Sequence, residues 1–386
     1  MYIKTLMLSL RQFGHAPVLI GIDGSRLFKE LQAEGVECIA WKKLKNGKFD
    51  ERKEYGEQEA VVCSEVSPIQ GCLRKMKSVV LKYLPGGMKL LAGNVREMFY
   101  LRKIFKSAQL DILQVNIHGY EVAGMAAKLA NVKVIGFFHT SPVFETNIMR
   151  RWLMNQTGCR YDKLCFPSRF TANAWIQMLN VAPSKCTIVP CGIDVSRFAS
   201  IVSPARNVGD SFRLVSVGRL HPMKGYSHLI DSVAKLDDAR IVVNILGEGD
   251  EWGFLDRKIK TLGLGERVHL RGHIEQPEAL IKAAHAFILL SNSHESFGIA
   301  LVEAMAAGLP LITSDYGPFP EINKHGVTGV VVPADDVIET AKAIKALADN
   351  PALCRDMGER GRERGAVLYD RKRMTYTMQQ LYAHLV

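Results

Sequence analysis

Short apolar runs alternate with helical spans along most of this chain. The runs are PVLIGID, CIAW, DILQVNIH, VIGFFHT and KLCFPS in the first half, and RLVSVGRL, RIVVNILG, RVHLRGH, AFILLSN and LPLITSD in the second. Strands that are separated by single helices form parallel sheets with right-handed crossovers. The alternation therefore predicts an α/β fold with parallel sheets.

The chain is too long for one ordinary hydrophobic core. Its 386 residues predict two domains. A polar stretch with one proline and one glycine, ASIVSPARNVGDS, separates the two sets of strands and is typical of a linker. We predict two doubly wound Rossmann-like domains that face each other across a cleft, at residues 1–198 and 199–369. A helix at about 370–386 is predicted to pack back on the first domain.

Composition excludes several classes of protein. With 47% hydrophobic and 23% charged residues, the chain is typical of a globular protein. We find neither an apolar run long enough to span a membrane nor a signal-peptide pattern. The eight cysteines form no CxxC pair, so we predict no zinc site and a reduced compartment. These features predict a cytoplasmic protein, with peripheral attachment to the cytosolic face of the membrane as an extension of that prediction.

The positive charge is concentrated in the first half. Residues 1–200 hold 28 Lys and Arg against 16 Asp and Glu, whereas the rest holds 22 against 23. Within residues 72–107, nine cations and one acid, Glu97, are interleaved with apolar side chains. This pattern predicts contact with an anionic membrane surface or a phosphorylated lipid. A solvated helix face remains the alternative, and we expect no nucleic acid, because no aromatic-rich binding motif accompanies the charge.

Two glutamates enclose an otherwise apolar segment in SNSHESFGIALVEAMAAGLPLIT. The local pattern predicts strand, loop, helix and strand, with Glu295 in the loop and Glu303 in the helix. The start of that helix, at Phe297, Gly298 and Ile299, offers free backbone N–H groups and suits a phosphate. Ligands bind where the strands of such sheets end. We therefore predict a ligand site here, and the alternative is that both carboxylates are solvated.

A second loop carries two cations after a strand end. In VSVGRLHPMKGYSHLIDSV, the cations Arg219 and Lys224 are placed to neutralise a diphosphate. Gly218 allows close approach of a ligand to the backbone. In NILGEGDEWGFL, Gly247 follows a strand, but the spacing lacks the last glycine of a dinucleotide fingerprint and the motif alone is weak.

Taken together and in this order, the motifs are specific. SVGRLHPMKG, LGEGDEW, ESFGIALVEAMAAGLPLITSDYGPFPEI and TGVVVP resemble the retaining glycosyltransferases of family four, which have the GT-B fold. The motifs FFHTS, FPSRFT and VPCGIDVSRF extend the resemblance into the first half.

The resemblance implies a role for each site residue. Arg219 and Lys224 would hold the donor's diphosphate, and Glu303 would bind the ribose of the nucleotide. Glu295 would contact the sugar hydroxyls, and His139 resembles the first-domain histidine that meets the sugar. The implied catalytic residues are thus Glu295 and His139. The implied donor-binding residues are Arg219, Lys224, Phe297, Gly298, Ile299 and Glu303, and further candidates are His118, Gly218 and Gly247.

The implied activity is transfer of a sugar, with retention of configuration, from a UDP- or GDP-sugar to an acceptor. The acceptor would be a saccharide or a lipid-linked sugar in bacterial polysaccharide or glycolipid assembly. Most members of this family need no metal, so we expect a metal-independent reaction without a cofactor. The alternative is a glycosyltransferase-like protein that lacks transfer activity. A nucleotide-sugar epimerase would need an acid and base pair that we do not find.

Two features depart from the family pattern. Met1 to Phe13 has the apolar spacing of a helix, so the family's first strand and its glycine-rich loop are expected to be missing. This predicts a gap in the first sheet and is the reason for the inactive alternative. The other departure is Cys191, where the family commonly has Asn.

Overall fold

The computed structural model describes residues 17–21, 31–40, 44–45, 48–49, 60–63, 86–116, 121–142, 161–199 and 206–385. These residues form two compact units. The first takes in the described residues up to Pro167, then Ala172–Val189 and those after Met374. The second takes in Ser168–Thr171 and the described part of Pro190–Met374. The predicted boundaries, 1–198 and 199–369, remain a prediction.

The first unit is built on a seven-stranded sheet in the order β2-β1-β5-β6-β7-β8-β9. The strands are β1 (Pro17–Gly21), β2 (Glu37–Ala40), β5 (Ala60–Cys63), β6 (Ile112–Val115), β7 (Lys133–Phe137), β8 (Lys163–Phe166) and β9 (Cys186–Ile188). A separate antiparallel pair is formed by β3 (Leu44–Lys45) and β4 (Lys48–Phe49).

Strand β5 corrects two expectations. It pairs with β1 on one side and β6 on the other, antiparallel to both, so this sheet is mixed rather than wholly parallel. Because β2 occupies the other edge of β1, neither edge of β1 faces the predicted gap. Pairing on both sides satisfies the backbone groups that a gap would leave without partners. Met1 to Phe13 lies outside the described residues.

The helices of the first unit cover the sheet through a shared apolar core. They are α1 (Gly86–Ser107), α2 (Glu121–Ala130) and α3 (Arg169–Leu179). The first turn of α3 groups with the second unit. Phe105 of α1, Phe166 of β8 and Trp175 of α3 are fully buried in this core. Buried Trp175 still satisfies its indole N–H, which donates to the carbonyl of Thr140 at 2.7 Å.

The second unit is built on a six-stranded sheet that is parallel throughout, in the order β12-β11-β10-β13-β14-β15. The strands are β10 (Phe212–Val217), β11 (Ile241–Leu246), β12 (Val268–Leu270), β13 (Ala286–Leu289), β14 (Leu311–Ser314) and β15 (Gly329–Val332). The strand order reverses between β10 and β13. In a doubly wound sheet, ligands bind at the carboxyl end of such a reversal.

The helices of the second unit are α4 (Ser196–Ala199), α5 (Tyr226–Ala234), α6 (Trp252–Thr261), α7 (Glu278–Ala283), α8 (Ile299–Ala306), α9 (Phe319–Ile322), α10 (Val337–Asp349) and α11 (Pro351–Leu368). The last helix, α12 (Arg371–Ala383), begins in this unit, and its residues from Thr375 onward group with the first. Within the first unit, the Tyr382 hydroxyl donates to the side-chain carbonyl of Gln114.

Each of the ten apolar runs in the sequence overlaps a strand of the two sheets. Three further strands of the two sheets, β5, β9 and β15, lie outside these runs. No helix among the described residues is long and apolar enough to cross a membrane.

Candidate functional site

The loops after β10 and β13 are joined at the reversal of strand order. The backbone N–H of Asn292 donates to the carbonyl of Met223 at 3.1 Å. Gly225 has φ +70°, and a Cβ at this position would lie 2.3 Å from the carbonyl oxygen of Leu290. Glycine is therefore needed here both for the left-handed backbone and for the close approach of the two loops.

This junction brings together two of the predicted site residues. Lys224 ends the short 3₁₀ turn Pro222–Lys224, and its ammonium lies 2.6 Å from a carboxylate oxygen of Glu295. The same oxygen accepts a hydrogen bond from the hydroxyl of Ser291 at 3.1 Å. The two charged side chains are 18% and 12% exposed, so water screens their attraction only weakly. An ammonium has three N–H donors, so Lys224 can hold Glu295 and still donate to a phosphate.

Free backbone donors lie beside this ion pair, at the start of α8. The N-cap residue Gly298 has φ +107°, which favours glycine. Among the described residues, the backbone N–H groups of Phe297, Gly298 and Ile299 have no hydrogen-bond acceptor. The Phe297 ring is buried and packs edge-on against Tyr369, with 5.7 Å between ring centroids. A fixed turn thus presents unpaired donors at the positive end of the helix.

Arg219 and the two candidate glycines lie in the loops that follow β10 and β11. The Arg219 side chain is exposed and makes no hydrogen bond or ion pair within the described part of the chain. A Cβ on Gly247 would lie 1.9 Å from the carbonyl oxygen of Gly218, and one on Gly218 would lie 2.8 Å from the Tyr226 hydroxyl. The glycines therefore let these loops pack closely, and this packing sets the backbone from which Arg219 projects.

Glu303 lies in a different local environment from Glu295. Burial raises the pKa of its carboxyl from 4.5 to about 6, while nearby Arg197 lowers that pKa and Glu278 raises it. Arg197 and Glu278 form an ion pair with each other. The Glu303 carboxylate makes no hydrogen bond within the described residues, so its two oxygens are available to a ligand.

We predict that Glu303→Gln stabilises the fold and weakens nucleotide binding. The raised pKa means that the stability contributed by the protonated carboxyl is fully present below pH 4.5 and is lost as the pH rises through 6. A shift of this size corresponds to about 2 kcal/mol at neutral pH. Thermal unfolding of both proteins should be measured between pH 4 and 8. The melting temperature of the variant should rise relative to that of the wild type as the pH increases from 4.5 through 6. A constant difference at every pH would contradict the prediction.

His139 lies in the first unit, just after β7. Its ring stacks on Phe137 with 4.3 Å between centroids. Burial lowers the pKa of His139 from 6.5 to about 3. The imidazole is therefore neutral at physiological pH. His118, the other candidate histidine, lies outside the described residues.

Sequence reasoning missed several residues that shape the site. Ser291 braces Glu295, and the Tyr316 hydroxyl accepts from the backbone N–H of His294 at 3.2 Å. Arg197 and Glu278 lie near Glu303 in the fold but far from it in sequence. For Ser291, the signal was its position two residues after a buried strand. A single sequence does not indicate the contacts of Tyr316, Arg197 and Glu278, because these contacts form only in the folded chain.

Comparisons with known proteins decide the family. The sequence matches the family model described as Glycosyltransferase Family 4 over residues 1–197, which is about half of the chain. It matches the model described as Glycosyl transferases group 1 over residues 201–364. The chain belongs to glycosyltransferase family 4. The stretches that carry Arg219, Lys224, Glu295 and Glu303 all fall within the second match.

Named relatives of this family 4 protein act on different substrates. The MMP alpha-(1->4)-mannosyltransferase of Mycolicibacterium hassiacum is 27% identical over 231 residues, which cover 58% of this chain and 55% of that protein. The phosphatidyl-myo-inositol mannosyltransferase of Mycobacterium leprae is 28% identical over 268 residues, which cover 66% of this chain and 68% of that protein. The chain thus spans little more than half of the first relative.

A solved structure shows the same fold. Anabaena Alr3699/HepE, in complex with UDP and glucose, superposes with a TM-score of 0.73 at 16% sequence identity, over 99% of this chain and 94% of that one. This likeness confirms the predicted GT-B fold, with two Rossmann-like units. At such low identity it establishes the fold alone.

Proposed function

We propose that this protein transfers a sugar from a nucleotide-sugar donor to an acceptor, with retention of anomeric configuration, in bacterial polysaccharide or glycolipid assembly. The observation that carries the proposal is the junction at the β10/β13 reversal. There Lys224 and Glu295 lie 2.6 Å apart, beside unpaired backbone donors at the start of α8. Family membership and the UDP bound by the structural neighbour support the same assignment.

The proposed reaction breaks the bond between the sugar and the diphosphate. Negative charge then grows on the leaving diphosphate, and positive charge grows on the sugar. The Lys224 ammonium, the Arg219 guanidinium and the amides that begin α8 would stabilise the negative charge. Because these groups supply positive potential themselves, we propose that the reaction needs no divalent metal.

The remaining groups would act on the sugar and the ribose. Glu295 already holds Lys224 and Ser291 through one carboxylate oxygen, which leaves the other oxygen to accept from a sugar hydroxyl. Neutral His139 would meet the sugar without repelling its developing positive charge. The ionised form of Glu303 would accept hydrogen bonds from the ribose. We assign no dedicated general base, since the leaving phosphate can take the acceptor's proton.

A donor and acceptor panel tests the proposed function. The protein is incubated with UDP- and GDP-sugars, with and without lipid-linked saccharides, and release of the nucleoside diphosphate is measured. Acceptor-dependent release, with an α-product from an α-donor by NMR, is the expected result. Binding of a donor without release for any acceptor would instead favour the inactive alternative, a glycosyltransferase-like partner protein.

We also propose that the basic segment 72–107 rests on an anionic membrane surface at the cytosolic face. Its residues 72–85 lie outside the described part, and α1 forms the rest. Val95 and Phe99 are 42% and 50% exposed on the outer face of α1, followed by exposed Lys103 and Lys106. Glu97, the only acid of the segment, is buried. Exposed apolar side chains beside cations, without an acid, favour attachment to anionic lipid.

We predict that the double variant Lys103→Glu/Lys106→Glu loses binding to anionic vesicles. Each cation near such a surface contributes about 1 kcal/mol, so removing two should lower partitioning at least tenfold at low salt. Vesicle flotation with anionic and neutral lipid measures this. The matched control, Arg355→Glu/Lys372→Glu, makes the same charge change on exposed residues of the second unit and should bind normally. Equal flotation of the wild type with neutral and anionic lipid would contradict the membrane proposal.

A further inference from the structure

The start of α3 carries a hydroxyl pair aimed at the donor-site loop. Ser168 and Thr171 belong to the FPSRFT motif and group with the second unit. Their hydroxyl oxygens lie 2.8 and 2.9 Å from the carbonyl oxygen of Ser296, which stands between Glu295 and Phe297. In sequence, this carbonyl is more than a hundred residues from either hydroxyl. The contact therefore exists only in the folded chain.

The hydroxyl pair is itself held in place. Ser168 is the N-cap of α3, and its side-chain oxygen accepts from the backbone N–H of Thr171 at 3.1 Å. The two N–H groups before it, those of Arg169 and Phe170, donate to the Glu321 carboxylate at 2.9 and 2.7 Å. Arg364 in turn donates to the backbone carbonyl of Glu321 at 2.9 Å. These bonds satisfy three of the four open donors at this helix start and fix the direction of its hydroxyls.

Fixing the Ser296 carbonyl also fixes the next amide. A trans peptide is planar, and its C=O and N–H point in opposite directions. No cis peptide occurs among the described residues. The two hydroxyls on one side of the Ser296–Phe297 peptide therefore set the direction of the Phe297 N–H on the other side. That N–H is one of the unpaired donors beside Lys224 and Glu295.

We infer that Ser168 and Thr171 are positioning residues that aim the Phe297 N–H at the donor's sugar-diphosphate. The inference rests on the proposed function, because it concerns the same donor site. Each hydroxyl carries one proton, and Ser168 also lies 3.0 Å from the Thr171 oxygen. When Ser168 donates to the Thr171 oxygen, Thr171 in turn donates to the Ser296 carbonyl. Thr171 is the better residue to change, since Ser168 also caps the helix.

The test compares Thr171→Val, which keeps the shape and loses the hydroxyl, with Thr171→Ser, which keeps the hydroxyl. Loss of one positioning hydrogen bond should raise the Kd for UDP or GDP and the KM for the donor about five- to tenfold. The serine variant should restore both values. A merely structural role would lower the melting temperature and leave donor affinity unchanged in the fraction that remains folded.

A second readout observes the amide directly. In protein labelled with ¹⁵N-phenylalanine, the Phe297 signal is the one that disappears in Phe297→Leu. It should shift on nucleotide binding in the wild type and in Thr171→Ser, and shift less in Thr171→Val. Equal nucleotide affinity and an equal shift in Thr171→Val would overturn the inference while the proposed function stands. If the wild type binds no nucleoside diphosphate and no nucleotide-sugar, the proposed function fails instead.

Discussion

Lys224→Ala is expected to lower the affinity for the nucleotide-sugar by roughly 10- to 150-fold. The wild-type ammonium can donate charge-assisted hydrogen bonds to the diphosphate, and such bonds contribute about 1.5–3 kcal/mol. The variant also leaves the Glu295 carboxylate without its cation, so that this carboxylate would repel the diphosphate. Glu295 keeps the hydroxyl of Ser291, 3.1 Å away, so we expect donor binding to fall more than stability. Calorimetric titration with the donor, alongside thermal unfolding, measures both.

Two controls make this result specific. Lys224→Arg keeps the positive charge and should retain most of the affinity. Lys235→Ala removes an exposed lysine elsewhere in the second unit and should have no effect. An unchanged Kd in Lys224→Ala would contradict the assignment of this lysine to the diphosphate.

Gly247→Ala is expected to destabilise the second unit severely. The new Cβ would lie 1.9 Å from a backbone oxygen, that of Gly218, which no rotation of a side chain can relieve. Its φ of +142° is also one that residues with a side chain rarely adopt. Backbone strain and overpacking together should cost about 3–6 kcal/mol. The melting temperature of this unit should then fall by about 10 °C or more.

The open space around another glycine provides the matched control. Gly209 has φ +104°, and a Cβ there would meet no atom within 4 Å. Gly209→Ala therefore carries backbone strain without the overlap, and should cost only about 1 kcal/mol. If both variants melt at the same temperature, the close packing of the loops after β10 and β11 does not determine stability.

The sequence was sufficient to predict the arrangement of the second unit and the meeting of Lys224 with Glu295. Both residues follow buried strands, and the ends of parallel strands meet at one edge of a sheet. Continuous apolar runs of this kind are typical of parallel strands, because helices bury both faces of a parallel sheet. The same reasoning predicted a phosphate site at the start of α8, where Gly298 has a positive φ.

Other features depend on contacts that a single sequence does not reveal. The four residues of β5 show no pattern that gives their direction, and the antiparallel pairing follows from the two neighbouring strands. The raised pKa of Glu303 comes from burial and from Arg197 and Glu278, which are distant in sequence. Likewise, an N-cap signal points to Ser168, but its proximity to the Ser296 carbonyl requires the fold.

We propose that the β10/β13 junction binds a nucleoside diphosphate through protein groups alone. Titrating the full chain with UDP, GDP and their sugars, in EDTA and then with Mg²⁺, tests it most directly. We predict saturable binding of at least one nucleoside diphosphate in EDTA, weakened by Lys224→Ala, and no comparable binding of the matching nucleoside without phosphates. Failure of every UDP and GDP compound to bind in either condition would exclude this site, and so would a nucleoside that binds as tightly as its diphosphate.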